Sequence, residues 1–304
     1  VYAGQPRYSL RVRNNEFSLE NLAIGIKEAH ALGKKFYVVS NIAPHNSKLG
    51  TYLKDISPVI AMKPDALIMS DPGLIMMVRD AFPEMPIHLS VQANAVNYAT
   101  VKFWQKQGIE RVILSRELSL EEIETIREHV PDMELEVFVH GALCMAYSGR
   151  CLLSGYMNKR DPNQGTCTNA CRWSYDVKAG EENETGDIVL TSEINKAVTA
   201  PQVVIPTLGE GSPSPKVFML EEKEKPGELM PAFEDEHGTY IMNSKDLRAV
   251  QHVGRLTQMG VHSLKIEGRT KSHYYCARTA QVYRKAIDDA VAGKPFDSTL
   301  MGSL

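Results

Sequence analysis

The sequence predicts an α/β fold, a (β/α)8 barrel that lacks its first strand and carries a cysteine-bearing insertion. Short apolar runs alternate with amphipathic helical segments through the first half of the chain, a pattern typical of parallel strands joined by crossover helices. Polar residues follow each apolar run, where both this fold and its alternative, an open doubly wound sheet, place their sites. We therefore expect the functional residues at the carboxyl ends of the strands.

The predicted elements follow one another in a regular order. Ser18 is placed to cap a first helix that ends at Gly33, and Ser119 opens a later helix with a capping box. A final helix is predicted over about 272–292. Tyr2 belongs to the earliest strand, and the later strands are predicted at 35–41, 66–71, 87–92, 111–116, 135–140 and 263–267. One further strand ahead of Tyr2 would make eight.

Residues 145–245 interrupt the alternation and are predicted to form an insertion or small subdomain. The barrel would then consist of residues 1–144 and 246–304. Within the insertion, two apolar runs at 217–220 and 239–242 are candidates for short strands. The insertion also contains most of the cysteines, so it is where metal chemistry is expected.

Composition limits the classes of function. The chain is 43% hydrophobic and 23% charged with a formal net charge of −3, so nucleic-acid binding would require a local basic patch. The sequence given contains no apolar run of about 18 residues, and we expect no signal peptide. We expect a cytoplasmic protein with no membrane contact. In that setting, cysteines are more often metal ligands or catalytic groups than disulfides.

Four cysteines fall close together: Cys144, Cys151, Cys167 and Cys171. Four thiolates satisfy either a tetrahedral zinc ion or a four-cysteine iron–sulfur cluster. Structural zinc usually pairs its cysteines at short spacing, and only Cys167 and Cys171 are spaced in this way. The wide intervals favour a 4Fe-4S cluster, with zinc and buried reduced thiols as the alternatives.

Polar side chains at the predicted strand ends form a candidate active face. Arg116 and Arg269 are suited to hold a small dicarboxylate by paired hydrogen bonds. Glu267 and His140 are the candidate catalytic groups, and His140 could equally hydrogen-bond a cluster ligand or belong to the core. For each residue the alternative is a loop-end role in capping a helix. The candidate substrate-binding residues are Asn41, Gln92, Arg116 and Arg269.

Two groups of basic residues include aromatic side chains. The first comprises Arg7, Arg11 and Arg13 with Tyr8 among them. The second surrounds the cysteines and comprises Arg150, Lys159, Arg160 and Arg172 with Tyr147, Tyr156 and Trp173. Aromatic rings among cations suit unpaired RNA, in which bases stack and phosphates pair with cations. The alternative for each group is an ordinary solvated surface.

Four segments resemble the collagenase-like peptidase family U32. They are FVHGALCMAYSGRC at 138–151, NQGTC at 163–167, YIMNSKDL at 240–247 and LKIEGR at 264–269, and the resemblance extends over essentially the whole chain. It implies a barrel with a truncated start and a further β-domain beyond residue 304. Arg248 stands where some members of the family have a metal ligand.

The resemblance also implies an activity. Members of the family take part in prephenate-dependent hydroxylation of the tRNA wobble uridine to 5-hydroxyuridine, and several bind a 4Fe-4S cluster through cysteines. The implied partners are a tRNA anticodon loop and a small anionic co-substrate, prephenate. Other members are named as peptidases, so a peptidase is the alternative, although the sequence contains no Ser-His-Asp elbow, HExxH or P-loop. A non-catalytic scaffold tied together by zinc is a third possibility.

Overall fold

The structure is a computed structural model that divides into two compact units. The first unit comprises Val1–Ala170 and Lys245–Leu304, and the second comprises Cys171–Ser244. The described residues are 1–10, 17–141, 151, 163, 165, 175–182, 188–190, 216–222, 229–235, 238–239, 246–268 and 271–303. The predicted start of the insertion at residue 145 lies outside them, so the predicted domain limits stay predictions.

Strands and helices alternate in the first unit. Its first part consists of β1 (Tyr2–Gly4), α1 (Leu19–Ala31), β2 (Tyr37–Ser40), α2 (Asn46–Ala61), β3 (Ala66–Met69), α3 (Pro72–Ala81), β4 (Ile87–Leu89), α4 (Tyr98–Lys106), β5 (Arg111–Ile113), α5 (Leu120–His129) and β6 (Glu134–Gly141). The second unit contains β7 (Tyr175–Glu182), β8 (Ile188–Leu190), β9 (Lys216–Glu222), β10 (Leu229–Asp235) and β11 (Gly238–Thr239). The first unit then resumes with β12 (Leu247–Arg248), α6 (Val253–Gln258), β13 (Ser263–Glu267) and α7 (His273–Val291).

The main sheet follows chain order. Strands β1 to β6 are adjacent and parallel, β13 continues the parallel series beside β6, and the short β12 pairs with β6 in the antiparallel direction. The order never reverses, which separates this sheet from a doubly wound fold. The two ends of the parallel series approach each other, because the Tyr2 hydroxyl donates to the Ile266 carbonyl at 3.4 Å. The sheet is therefore curled, although no backbone ladder joins β1 to β13 in the described residues.

Local sequence signals account for the helix ends. The Ser18 hydroxyl accepts a hydrogen bond from the Asn21 amide, and Gly33 adopts a left-handed φ of 63° just beyond α1. Ser119 forms both hydrogen bonds of its capping box, and Ser272 caps α7. These predicted boundaries are confirmed. In the part of the chain that is described, no helix combines the length and the apolar character needed to span a bilayer.

The two faces of the main sheet are packed differently. On β6, Leu135, Val137 and Val139 belong to the large apolar core shared with the helices. Phe138 faces the other way and packs with a separate apolar cluster on the inner, concave face: Ile68, Val91 and Ile113. Residues that alternate with the helix-facing ones, such as Glu136, therefore line the inner face.

The second unit contains an antiparallel sheet with the strand order β11-β10-β9-β7-β8. The predicted strand at 217–220 lies within β9, which confirms it. Of the predicted strand at 239–242, the structure describes only Thr239, which ends β11. Strands β7, β8 and β10 were not predicted from the sequence.

Candidate active site

Three polar side chains connect neighbouring strand ends of the first unit. Asn41 follows β2, and its amide nitrogen donates to the Ser90 hydroxyl beyond β4 at 3.1 Å. Its side-chain oxygen accepts from the Leu10 amide at 3.1 Å, and its backbone carbonyl accepts from the Ser70 hydroxyl at 3.0 Å. Asn41 therefore lies at the predicted face, where it connects the loops beyond β1, β2, β3 and β4.

The loop beyond β4 contains the predicted residue Gln92. Gln92 is half-buried in a single 3-10 turn, and its backbone amide donates to the Ser90 hydroxyl at 3.4 Å. The turn ends at Asn94, which adopts a left-handed φ of 53°. The Asn94 side-chain oxygen is buried and has no partner among the described residues, and the same holds for the Ser115 hydroxyl beyond β5. Sequence reasoning missed Ser115, although it directly precedes Arg116.

Arg116 and Glu267 form a buried ion pair between the strand end of β5 and that of β13. Their side chains are only 10% and 6% exposed. The Arg116 guanidinium also lies 3.8 Å from the ring centroid of Phe138 on the inner face, a favourable cation–π arrangement. The structure thus brings together the predicted anion-binding arginine and the predicted catalytic carboxylate, whereas Arg269 lies outside the described residues.

Gly141 lets β6 approach β13 closely beside this ion pair. It has a φ of 115°, and a Cβ atom at this position would overlap the Glu267 carbonyl oxygen. Only glycine adopts this backbone conformation readily. The absence of a side chain at Gly141 therefore allows Glu267 to lie directly against β6.

His140 faces the helical layer instead of the inner face. The pairing of β6 with β13 shifts by one residue between Lys265 and Ile266, and such a shift redirects the side chains that follow it. The His140 ring packs against Tyr275 and Tyr283 of α7, with both pairs of ring centroids 5.5 Å apart. The two predicted catalytic residues, His140 and Glu267, consequently face different layers.

Hydrogen bonding defines the tautomer of His140. The Tyr283 hydroxyl donates its single proton to the Val139 carbonyl at 2.7 Å and accepts from the Ala249 amide at 3.1 Å. The 3.3 Å contact with His140 Nδ1 must then be donated by the ring, which leaves the lone pair on Nε2. Burial lowers the pKa of His140, and the nearby Asp246 carboxylate only partly opposes this effect.

The described part of the cysteine segment lies against the strand ends. Cys151 is half-buried and forms no disulfide. Its backbone carbonyl accepts from the Asn163 side chain at 3.2 Å, and the Asn163 carbonyl accepts from the Ala43 amide beyond β2 at 2.9 Å. Gly165 approaches the Ser9 carbonyl beyond β1. The other three predicted ligands, Cys144, Cys167 and Cys171, lie outside the described residues.

The first predicted basic–aromatic group is largely committed to internal contacts. Tyr8 is fully buried, and its hydroxyl lies 2.8 Å from an Asp55 side-chain oxygen that also pairs with Arg7 at 2.8 Å. Tyr8 is therefore not available to stack on a base, which corrects that part of the prediction. Arg11, Arg13 and the second group lie outside the described residues.

Comparison with known proteins identifies close relatives. The family model for peptidase family U32 matches residues 1–303. The chain is 76% identical over 305 residues to tRNA hydroxylation protein P of Escherichia coli and 72% identical over 304 residues to the protein of the same name in Haemophilus influenzae. Both alignments cover 100% of this chain and 66% of the relative, so the chain spans just under two thirds of these proteins.

A more distant relative has a different RNA in its name. The 23S rRNA 5-hydroxycytidine C2501 synthase of E. coli is 28% identical over 288 residues, which cover 95% of this chain and 36% of that protein. The names of these relatives thus refer to hydroxylation of tRNA in two cases and of 23S rRNA in the third.

Proposed function

Because the chain belongs to peptidase family U32, we propose that it takes part in hydroxylating the wobble uridine of tRNA to 5-hydroxyuridine. The observation that carries the proposal is the 76% identity, over the whole chain, with a protein named for tRNA hydroxylation. The rRNA relative is named for a base with a hydroxyl group at C5 of a pyrimidine. A pyrimidine C5 is therefore the expected position of the modification.

Arg116 is the proposed contact for a small anionic co-substrate, for which prephenate is our candidate. Its side chain donates to Glu267 through Nη2, whereas a guanidinium has five N–H donors. Donors therefore remain for a carboxylate, and the buried setting strengthens any such pair. Asn41 and Gln92 would line the same face, and Arg269 is the proposed second cation.

The cysteines are the proposed ligands of a 4Fe-4S cluster, with zinc as the alternative. Cys151 suits this role, because its backbone is held by Asn163 beside the strand ends. Cys144, Cys167 and Cys171 would complete the set. When bound, the cluster would supply one-electron transfer to the reaction.

His140 and Glu267 have distinct proposed roles. The neutral His140 ring, with its Nδ1 proton donated to Tyr283, presents an Nε2 lone pair that can accept a proton. The Glu267 carboxylate would orient Arg116 toward the co-substrate. Because His140 faces the helical layer and Glu267 pairs with Arg116 on the inner face, we assign them separate roles.

Two broader features complete the proposal. The sequential strand order and the approach of β1 to β13 support a (β/α)8 barrel as the complete fold, with the site at its carboxyl-end mouth. The wobble uridine lies in the anticodon loop, so the RNA partner would be that loop in the cytoplasm.

Mass spectrometry of tRNA nucleosides tests this function. Cells that lack the endogenous gene would receive the full-length protein, its Cys151→Ala variant or its Cys276→Ser variant. We expect 5-hydroxyuridine to be restored by the first and third proteins and to be absent with Cys151→Ala. Cys276 is the matched control, because it lies outside the proposed ligand set and its thiol contacts the Gly268 carbonyl.

Two results would contradict the proposal. Undiminished 5-hydroxyuridine with Cys151→Ala would exclude a required cluster at these cysteines. Cleavage of denatured collagen by the purified protein, without any effect on tRNA, would favour the peptidase alternative. Iron analysis after anaerobic purification separates the metals, since a cluster predicts about four iron atoms per chain.

A further inference from the structure

We propose that Tyr274 is a stacking platform for an unpaired base of the substrate RNA, and that the cations around it hold the neighbouring phosphates. The inference rests on the proposed function for the identity of the RNA. Tyr274 is 78% exposed, more than any other large apolar or aromatic side chain in the described part of the chain. Such a ring gains free energy when a partner covers its face.

Tyr274 lies beside the candidate active site. It is the second residue of α7, which follows β13 and its terminal Glu267. The Gly268 carbonyl accepts from the Lys271 amide at 2.9 Å and from the Cys276 thiol at 3.4 Å, so the first turn of α7 is anchored to the strand end. The next residue, Tyr275, packs against His140.

The surrounding charge suits an anionic partner. The described residues 271–278 contain two basic side chains, Lys271 and Arg278, and no carboxylate, although the whole chain has a net charge of −3. Arg278 lies one helical turn after Tyr274 and therefore on the same face of α7. The Lys271 ammonium lies 5.0 Å from the ring centroid of Tyr275 and 2.7 Å from the Asp246 carboxylate, which offsets part of its charge, so Arg278 is the main proposed phosphate contact.

The same surroundings favour unpaired RNA over a protein or a duplex. The sequence neighbours of Tyr274 on the surface are Ser272, His273 and Ala277, all polar or small. A single ring whose exposed sequence neighbours are polar or small offers little area to a protein partner, whose interfaces have an apolar core. A paired base is covered by its own stack, whereas a loop base can lie on an aromatic side chain while phosphates contact nearby cations.

Fluorescence anisotropy with a labelled RNA hairpin tests the platform. We expect Tyr274→Ala in the full-length protein to weaken hairpin binding by about 5- to 150-fold, which corresponds to the loss of one stacked base. Tyr274→Phe retains the ring and should bind as the wild type does. Phe103→Ala removes a ring that is 54% exposed on α4 and should leave the affinity unchanged, as should Tyr274→Ala with a fully paired duplex.

A second variant tests the cations independently. Arg278→Gln should lower the slope of log Kd against log salt concentration by about 0.7, the value for one phosphate contact on a single strand. An unchanged hairpin affinity for Tyr274→Ala, or an equal loss with the duplex, would overturn the inference. So would loss of self-association in place of loss of RNA binding.

The outcomes also separate this inference from the proposed function. If hairpin binding depends on Tyr274 but the wild-type protein does not restore 5-hydroxyuridine, the stacking role of Tyr274 is supported and the proposed function is refuted. Normal restoration of 5-hydroxyuridine together with wild-type binding by Tyr274→Ala would refute the platform alone.

Discussion

Both ends of the inner face of the main sheet contain buried ion pairs and a buried polar atom without a partner in the described residues, which at the amino end is His88 Nδ1. At the amino end, Glu136 accepts from Lys265 at 2.6 Å and from Arg111 at 3.3 Å. Arg111 also pairs with Glu134 at 2.7 Å. At the carboxyl end, the Ser115 hydroxyl is buried with no partner in the described residues. The amino-end charges form a network of Arg111, Lys265 and two glutamates, whereas the carboxyl-end pair of Arg116 and Glu267 lies among the predicted site residues. We therefore expect the first to contribute to stability and the second to function.

The pKa values at the amino end support this distinction. Burial opposes ionisation of Glu136, but Lys265 and Arg111 outweigh it and hold the pKa of the carboxyl below its ordinary value. For His88 in the same region, burial and the Arg111 charge outweigh the opposing Glu136 and Glu134 carboxylates and lower the pKa to about 4. The contribution of the amino end to the free energy of unfolding therefore depends on the protonation states of Glu136 and His88.

The largest expected effect comes from breaking the amino-end network. Glu136→Ala leaves Lys265 without its carboxylate partner in a buried site, so we expect the free energy of unfolding to fall by about 3–5 kcal/mol. Chemical denaturation measures this change. Glu121→Ala is the control, because Glu121 pairs with Arg255 on the surface, where solvent screens the pair. Equal changes for the two variants would contradict the structural role of the network.

The next effect concerns pH. The folded-state pKa of His88 is about 4 and its ordinary value is 6.5, so between these values the unfolded chain binds more protons. Stability should therefore fall by roughly 3 kcal/mol as the pH decreases from 6.5 to 4. His88→Phe should flatten this part of the stability profile measured by denaturation. A profile identical to that of the wild type would show that His88 does not carry the effect.

The smallest effect on stability is expected at the carboxyl end, with the opposite sign. Ser115→Ala removes a buried hydroxyl that lacks a partner, so the free energy of unfolding should stay the same or rise by up to about 1 kcal/mol. The restoration of 5-hydroxyuridine in cells should nevertheless decrease. Clear destabilisation by Ser115→Ala would show that the hydroxyl has a structural partner and would contradict a functional role for it at the carboxyl end.

Local sequence signals determine much of the fold. Ser18, Gly33, Ser119 and Ser272 mark helix boundaries through hydrogen bonds and backbone conformations that involve only neighbouring residues. The predicted strand segments in the first unit overlap β1 to β6 and β13, because fully buried parallel strands appear as continuous apolar runs. The short β12 was not predicted. In the second unit, β7 was missed because its sequence, YDVKAGEE, is polar and carries little strand signal.

Features that depend on distant contacts were not predictable from the sequence. The shift in pairing between β6 and β13 directs His140 toward α7, and nothing in the residues around His140 indicates it. Tyr8 appears exposed among arginines in the sequence but is buried against α2 through Asp55. The Arg116–Glu267 pair joins residues 151 positions apart. Each of these features depends on contacts between elements that are far apart in the sequence.

The most direct test of the account neutralises one ion pair at each end of the inner face. Arg116→Met with Glu267→Met removes the carboxyl-end pair, and Lys265→Met with Glu136→Met removes the amino-end pair, both without leaving an unpaired charge from that pair. The level of 5-hydroxyuridine in tRNA would be measured per folded protein. We predict at least about a tenfold loss for the carboxyl-end variant and near wild-type levels for the amino-end variant. Undiminished 5-hydroxyuridine in the carboxyl-end variant would contradict the assignment of the active site.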